Sequence, residues 1–194
     1  MSAFAGLRLS VGLLTVVPVR PPARIGRAEA RSAILLAQLA VLPVALAAAL
    51  VGWGAVAAGL PSALAGVLVV AALTLGTRAM HADGLADTTD ALGSGRDAAG
   101  ALEVMKRGDI GPMGTVALIL SLGAQAIASG VLLQRPLGAV VLAAAVCVAR
   151  GALLPGCAVG VPAARPGGLG AMVAGSVPVP AAVGTWLAGS AALV

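Results

Sequence analysis

Charge is scarce in this 194-residue chain, and so are aromatic rings, cysteine and histidine. Charged residues make up 10% of it and the mean hydropathy is +1.06, whereas soluble domains carry roughly 25% charged residues. An ordinary soluble domain is excluded. Aromatic residues amount to 2%, so the basic, ring-studded surface of a nucleic-acid-binding protein is absent. The net charge of +5 and pI near 11.0 then point to anionic lipid headgroups as the partner. The two cysteines, Cys147 and Cys157, lie in one apolar run. On a helix they are about 15 Å apart, too far to bridge, and serve as small packing residues.

What the chain has instead is long, continuous apolar runs. A bilayer core of about 30 Å takes roughly 20 helical residues, and unpaired backbone groups are not tolerated there. Punctuation by Pro, Gly and charge predicts five transmembrane helices, about 34–57, 61–80, 113–133, 137–157 and 172–193. A sixth apolar segment, 3–19, holds Arg8 and ends in Pro18; an interfacial or re-entrant helix fits it as well as a span. No basic stretch precedes it and no small-residue cleavage site follows, so it is expected to stay in the mature chain. The expected fold is all-α: a single integral membrane domain over 1–194, a polytopic bundle of five to six membrane-embedded helices. Abundant Gly and Ala predict close helix packing.

The cations set the orientation. Four arginines fall in 20–31, Arg96, Lys106 and Arg107 in 81–112, and Arg165 in 158–171, while the alternate connections hold only Arg135. Lys and Arg mark the cytoplasmic side, so the 81–112 segment faces the cytoplasm.

That segment is where the acids are. The sequence has seven acidic residues, and six of them, Asp83, Asp87, Asp90, Asp97, Glu103 and Asp109, lie between 83 and 109. On a helix, Asp83, Asp87 and Asp90 fall within roughly 60° of one another. Three carboxylates on one stripe repel unless a cation sits among them, and hard oxygen ligands one turn apart suit Mg²⁺ or Mn²⁺ that completes its shell with water and phosphate. Gly93 and Gly95 are expected to end this helix and Asp97 to cap a second one, as cap, ligand or both. The only histidine, His81, points about 160° from the stripe if the helix is continuous through it. A general base, a hydrogen-bonding partner of substrate and a plain interfacial histidine all remain open for it.

The second helix brings the opposite charge. Glu103 and Arg107 have the spacing of an i, i+4 pair, with Lys106 beside them, ahead of the turn GDIGPMG at 108–114. Cations beside a metal site hold diphosphates and stabilise a leaving phosphate; lysine and arginine here fit positive-inside anchors equally well.

The block MHADGLADTTDALGSGRDAAGALEVMKRGDIGPMG, residues 80–114, resembles the signature of the cobalamin synthase family, the adenosylcobinamide-GDP ribazoletransferases. LLTVVPV (13–19) is similar to that family's early Leu-Thr-x-x-Pro element, and ARPGGLGA (164–171) to its late Ala-Arg-x-x-Gly-Leu-Gly element. The resemblance implies an enzyme of the bacterial or archaeal cytoplasmic membrane with Mg²⁺ as cofactor, Mn²⁺ as a substitute, and a homo-oligomer left open. Its substrates would be adenosylcobinamide-GDP and α-ribazole or α-ribazole 5′-phosphate. The ribose 3′-hydroxyl would displace GMP and leave the cobinamide phosphate bridging to the lower nucleotide. Carried onto this chain, Asp83, Asp87 and Asp90 would bind metal, with Asp97 as a fourth ligand. His81 or an aspartate would take the proton. Lys106, Arg107 and Arg165 would bind phosphates, with Glu103 and Asp109 beside them. Three departures stand out: Arg107 and Asp109 reverse the family's usual order of charge, Ala82 replaces a larger apolar residue, and the sequence stops at Val194 where relatives continue.

Two rivals use similar materials. A CDP-alcohol phosphotransferase also displaces a nucleoside monophosphate with helix-borne aspartates, but Ala86 follows Gly84 after one residue and that family's later Asp-x-x-x-Asp is missing. A small transporter predicts charges facing a pore from several spans, whereas these spans hold little beyond Arg8, Arg78 and Arg150.

Overall fold

The computed structural model describes residues 3–191. Among them every regular element is helical, apart from one isolated bridge pairing Ala158 with Val177. In chain order the helices are α1 (Ala3–Leu14), α2 (Arg27–Leu35), α3 (Ala37–Ala40), α4 (Leu42–Ala57), α5 (Ser62–Gly76), α6 (Met80–Gly93), α7 (Ala98–Val104), α8 (Pro112–Leu132) and α9 (Gly138–Ala149). A 3₁₀ turn (Arg150–Ala152) joins α9 to α10 (Leu153–Gly156), and α11 (Leu169–Val173) and α12 (Val179–Ala191) follow. The all-α expectation holds.

Among the described residues two helices are long and apolar enough to cross a membrane, Pro112–Leu132 and Gly138–Gly156, or three if α5 and α6 together form one broken span; the expected five to six are not all seen as single long helices. The 34–57 run is cut into α2, α3 and α4; the break between α3 and α4 follows from Pro43, in the first turn of α4, which has no N–H to give the preceding turn. The arginine loop also ends earlier than expected: α2 begins at Arg27, where a Glu29 carboxylate oxygen accepts the Gly26 N–H at 2.9 Å and closes the helix start. The 61–80 run stops at Gly76. The 172–193 run is not one helix either, since residues 174–178 separate α11 from α12; positions 192 and 193 lie outside the described residues. At 12 residues α1 is about 18 Å long, too short to cross a bilayer. Arg8 is accommodated by turning back to the Arg20 and Pro21 carbonyls.

Small residues let the helices approach closely. α4, α5 and α9 share a core of Ala45, Ala48, Ala65, Val69, Leu142 and Ala143. Where α5 meets α8, a Cβ on Gly66 would collide with the Ala126 carbonyl, and one on Gly130 with that of Ser62. In lipid, such backbone proximity supplies the packing that water would otherwise drive. Apart from Thr115 and Gln125, the exposed side chains on α8 are mostly apolar, with Ile119 and Leu120 each 66% exposed, as suits a lipid-facing surface. The cysteines are free, and Cys157 packs with Leu154, Val177 and Ala182.

The joint after α5 sets the direction of the acidic helix. Arg78 (φ 53°) and Ala79 (φ 55°) both adopt the left-handed conformation, at about 1–2 kcal/mol each for side-chain-bearing residues. Through them α6 leaves α5 at a bend of 91°. The Arg78 guanidinium donates to the Thr15 carbonyl at 2.6 Å and to that of Gly12 at 3.3 Å. The Val16 N–H donates to the Gly76 carbonyl at 2.9 Å. The early LLTVVPV element thus buttresses the turn into the acidic helix.

Candidate active site

α6 is continuous from Met80, so His81 lies on the same helix as the aspartates and on the opposite face. Asp83 is exposed, while Asp87 and Asp90 are half-buried. Each meets something different.

Asp90 is taken up by the start of α8. One carboxylate oxygen accepts the Gly111 N–H at 2.7 Å and the other accepts the Gly114 N–H at 2.8 Å. A helix N-terminus exposes N–H groups without intrahelical partners, and a carboxylate satisfies them with favourable charge. Gly111 and Gly114 are required by this approach: a Cβ on either would run into the Asp90 carboxylate. Pro112 in the first turn needs no partner for its nitrogen. The Ile-Gly-x-x-Gly pattern is therefore the receptor for the third aspartate of the motif.

Asp97 caps α7 as expected, accepting the Gly100 N–H at 2.9 Å, and Gly95 (φ 64°) turns the chain between the helices. The expected Glu103–Arg107 pair does not form. α7 ends at Val104, so Arg107 leaves the helical phase, and Lys106 pairs with Glu103 at 2.5 Å instead. That hydrogen bond and the Lys106 charge hold the Glu103 carboxyl below its ordinary range, with smaller contributions from the Arg165 and Arg107 charges. Lys106, Arg107 and Asp109 are all exposed.

Asp87 faces a cavity of about 700 Å³, within the size range of small-molecule sites. Its wall brings Asp87 together with Leu102 and Met105 from the second helical segment and with Arg165, Gly167 and Gly168 from the late loop. Arg165 is fixed by a 2.8 Å hydrogen bond to the Leu102 carbonyl, a position where a cation complements the C-terminal half of a short helix. His81 is absent from this wall; it lines a separate cavity with Arg150. Sequence reasoning missed the role of Asp90 and gave Arg150 no task. The signal for the first was present: Gly111-Pro112 opens a helix with no capping side chain of its own.

Among the described residues no group of three or more His, Cys, Asp or Glu stands close enough to hold a metal ion. Both oxygens of Asp90 and one of Asp97 accept backbone N–H groups, whereas no such bond among the described residues engages Asp83 and Asp87, one helical turn apart. Mg²⁺ commonly takes one or two carboxylates, several waters and substrate phosphate oxygens. The pair fits Mg²⁺ in that form, with the phosphate as a necessary part of the shell.

A family model described as CobS, cobalamin-5-phosphate synthase, matches residues 6–194. Among curated relatives named adenosylcobinamide-GDP ribazoletransferase, that of Nocardioides sp. is 47% identical over 176 residues, covering 91% of this chain and 76% of that protein. The Frankia casuarinae protein is 35% identical over 88% of this chain and 64% of its own length. The Bradyrhizobium diazoefficiens protein is 44% identical over 60% of this chain and 46% of its own. Against the latter two, the chain matches less than two thirds of the relative's length. No solved structure matches it. A match over nearly the whole sequence, joined to the convergence of the acidic block and the late Arg-Gly loop on one cavity, places the chain in the cobalamin-5-phosphate synthase family of enzymes.

Proposed function

We propose that this chain is an adenosylcobinamide-GDP ribazoletransferase. The relatives' name supports adenosylcobinamide-GDP and ribazole as the reactants; in this reading the cobinamide phosphate passes to α-ribazole or its 5′-phosphate and GMP leaves. The observation that carries the reading is the shared cavity of Asp87, Met105 and Arg165, drawn from segments far apart in sequence.

Asp83 and Asp87 would hold Mg²⁺, which when bound neutralises diphosphate charge. Arg165, one of whose nitrogens is anchored on Leu102, directs its remaining N–H groups to phosphate oxygens and fixes their position. In the transfer, the ribose 3′-oxygen bonds to the cobinamide phosphorus, the bond from that phosphorus to the GMP oxygen breaks, and the hydroxyl proton passes to a base. Asp87, on the cavity wall, keeps its role as metal ligand, and the proton falls to another carboxylate of the acidic segment. Asp90 works at one remove, docking α6 on α8 so that Asp87 keeps its aim. Positioning of this kind accounts for much of the catalysis in phosphoryl transfer.

In this reading the chain belongs to the cytoplasmic membrane, with the acidic segment inside. The distribution of cations supports this: Lys and Arg collect in 20–31 and 81–112 while the alternate connections hold only Arg135, and Arg165 reaches the acidic segment at the Leu102 carbonyl.

The test is GMP release from membranes holding the protein, given Mg²⁺, adenosylcobinamide-GDP and α-ribazole, beside a CDP-alcohol control. EDTA is expected to stop release and added Mg²⁺ to restore it. Release that survives EDTA would remove the metal from the reading, and turnover of the CDP-alcohol alone would replace the reaction.

A further inference from the structure

The second cavity lies between α5, α6, α8 and α9, on the face of α6 away from the aspartates. Its wall includes Thr74, His81, Ala82, Ser121, Gln125 and Arg150, and its volume is about 190 Å³. At about 30 Å³ per water this is room for on the order of six waters, and it is smaller than the sites that take nucleotides or cofactors.

Arg150 sits in the 3₁₀ turn that interrupts the apolar stretch Gly138–Gly156. An ionisable side chain at such a depth is costly and needs a partner. No acidic residue lines the cavity. Arg150 Nε and His81 Nδ1 are both buried there without a hydrogen bond, and buried polar atoms of native proteins are rarely left so. The polar side chains around it are neutral: Thr77 Oγ1 donates to the Leu73 carbonyl and Gln125 Nε2 to Ser121 Oγ, and none carries a charge to balance the guanidinium. A guanidinium with no countercharge on the cavity wall, a neighbouring imidazole and a volume of this size are the chemistry of a small-anion site.

We infer that this cavity binds a phosphate-sized oxyanion, held by Arg150 with His81 beside it. The anion is a free phosphate or the headgroup phosphate of a lipid; the shared chemistry is a tetrahedral oxyanion meeting a planar guanidinium. The inference does not rest on the proposed transfer, whose cavity is the other one.

The experiment uses the full chain in nanodiscs of phosphatidylcholine, with inorganic phosphate as the probe and binding read by calorimetry and by thermal unfolding. Phosphate is expected to raise the unfolding temperature. Arg150→Gln should weaken its binding by about tenfold or more, the loss typical of a hydrogen bond to a charged group. Ala82→Leu keeps Arg150 but fills the cavity from α6 and should weaken binding equally; it carries the test if Arg150→Gln does not fold. Phosphate binding should persist in Arg165→Ala, which separates this site from the Asp87 cavity. A parallel series in discs containing phosphatidylglycerol identifies the source: stabilisation by that lipid, lost in Arg150→Gln, assigns the site to a headgroup. Absence of stabilisation by both phosphate and phosphatidylglycerol, or binding by Arg150→Gln and Ala82→Leu equal to that of the unmodified chain, overturns the inference.

Discussion

Asp90 receives the Gly114 backbone N–H at 2.8 Å, across 24 residues of sequence, and thereby turns one member of an acidic stripe into the cap of a membrane-spanning helix. Asp87, one turn earlier on α6, meets the other cavity instead. The two aspartates therefore separate in experiment. Asp87→Asn should abolish GMP release with the unfolding temperature unchanged. Asp90→Ala should destabilise the fold by about 1–3 kcal/mol, the range for stranding buried N–H groups and losing a cap. Thermal unfolding in detergent beside the release assay checks both; full activity in Asp87→Asn would sink its assignment.

Gly114→Ala tests the same contact from the other side. The added Cβ would strike the Asp90 carboxylate and the Ala86 carbonyl, so the variant should unfold at lower temperature. Because the collision needs both partners, the double variant with Asp90→Ala should lose less stability than the sum of the single losses. Additive losses would show that Gly114 serves something other than Asp90.

Arg165 is held on α7 by the Leu102 carbonyl and looks into the Asp87 cavity. Arg165→Ala should lower kcat by about 10²-fold, the effect of removing one well-placed donor to transition-state charge. Arg165→Lys should recover only part of this, since an ammonium cannot hold the carbonyl and a phosphate with a planar fork. Equal rates for Arg165→Ala and the unmodified chain would take Arg165 out of the reaction.

The sequence has only two glutamates, Glu29 and Glu103, so selective carboxyl labelling yields two resonances. Glu103 should titrate below its ordinary value of 4.5, because the Lys106 hydrogen bond and charge favour the ionised form. A folded-state pKa lowered in this way contributes stability at neutral pH that disappears as pH falls through it, in the acid range below 4.5. Lys106→Ala should move the Glu103 titration upward and leave Glu29 in place. An unmoved Glu103 would mean that the pair does not form in solution.

What could be read from the sequence was what depends on near neighbours. The helix-Gly-helix form of 80–104, the cap at Asp97 and the turn at Gly95 follow from residues within a few positions of each other, and the structure has them all. Helical phase also separated His81 from the aspartates. It could not say what each face would meet, because the partners of Asp90 and Arg165 lie 21 to 63 residues away. Span lengths were legible for 113–133 and 137–157, which form Pro112–Leu132 and Gly138–Gly156, and failed elsewhere for a related reason. An apolar run shows where a helix is permitted in lipid, but Pro43 and the left-handed pair Arg78–Ala79 decide where one stops.

That left-handed pair also separates the mechanics of the membrane from the chemistry. A bilayer that thickens or thins is met by tilting of its helices, and a straight extension of α5 would pass every degree of that tilt to the aspartates. With a right-angled joint, tethered by Arg78 to the carbonyls of Gly12 and Thr15, the acidic helix takes its bearing from α1 and α8. The bearing of the acidic helix is thus set apart from the axis of α5, by a joint of two residues.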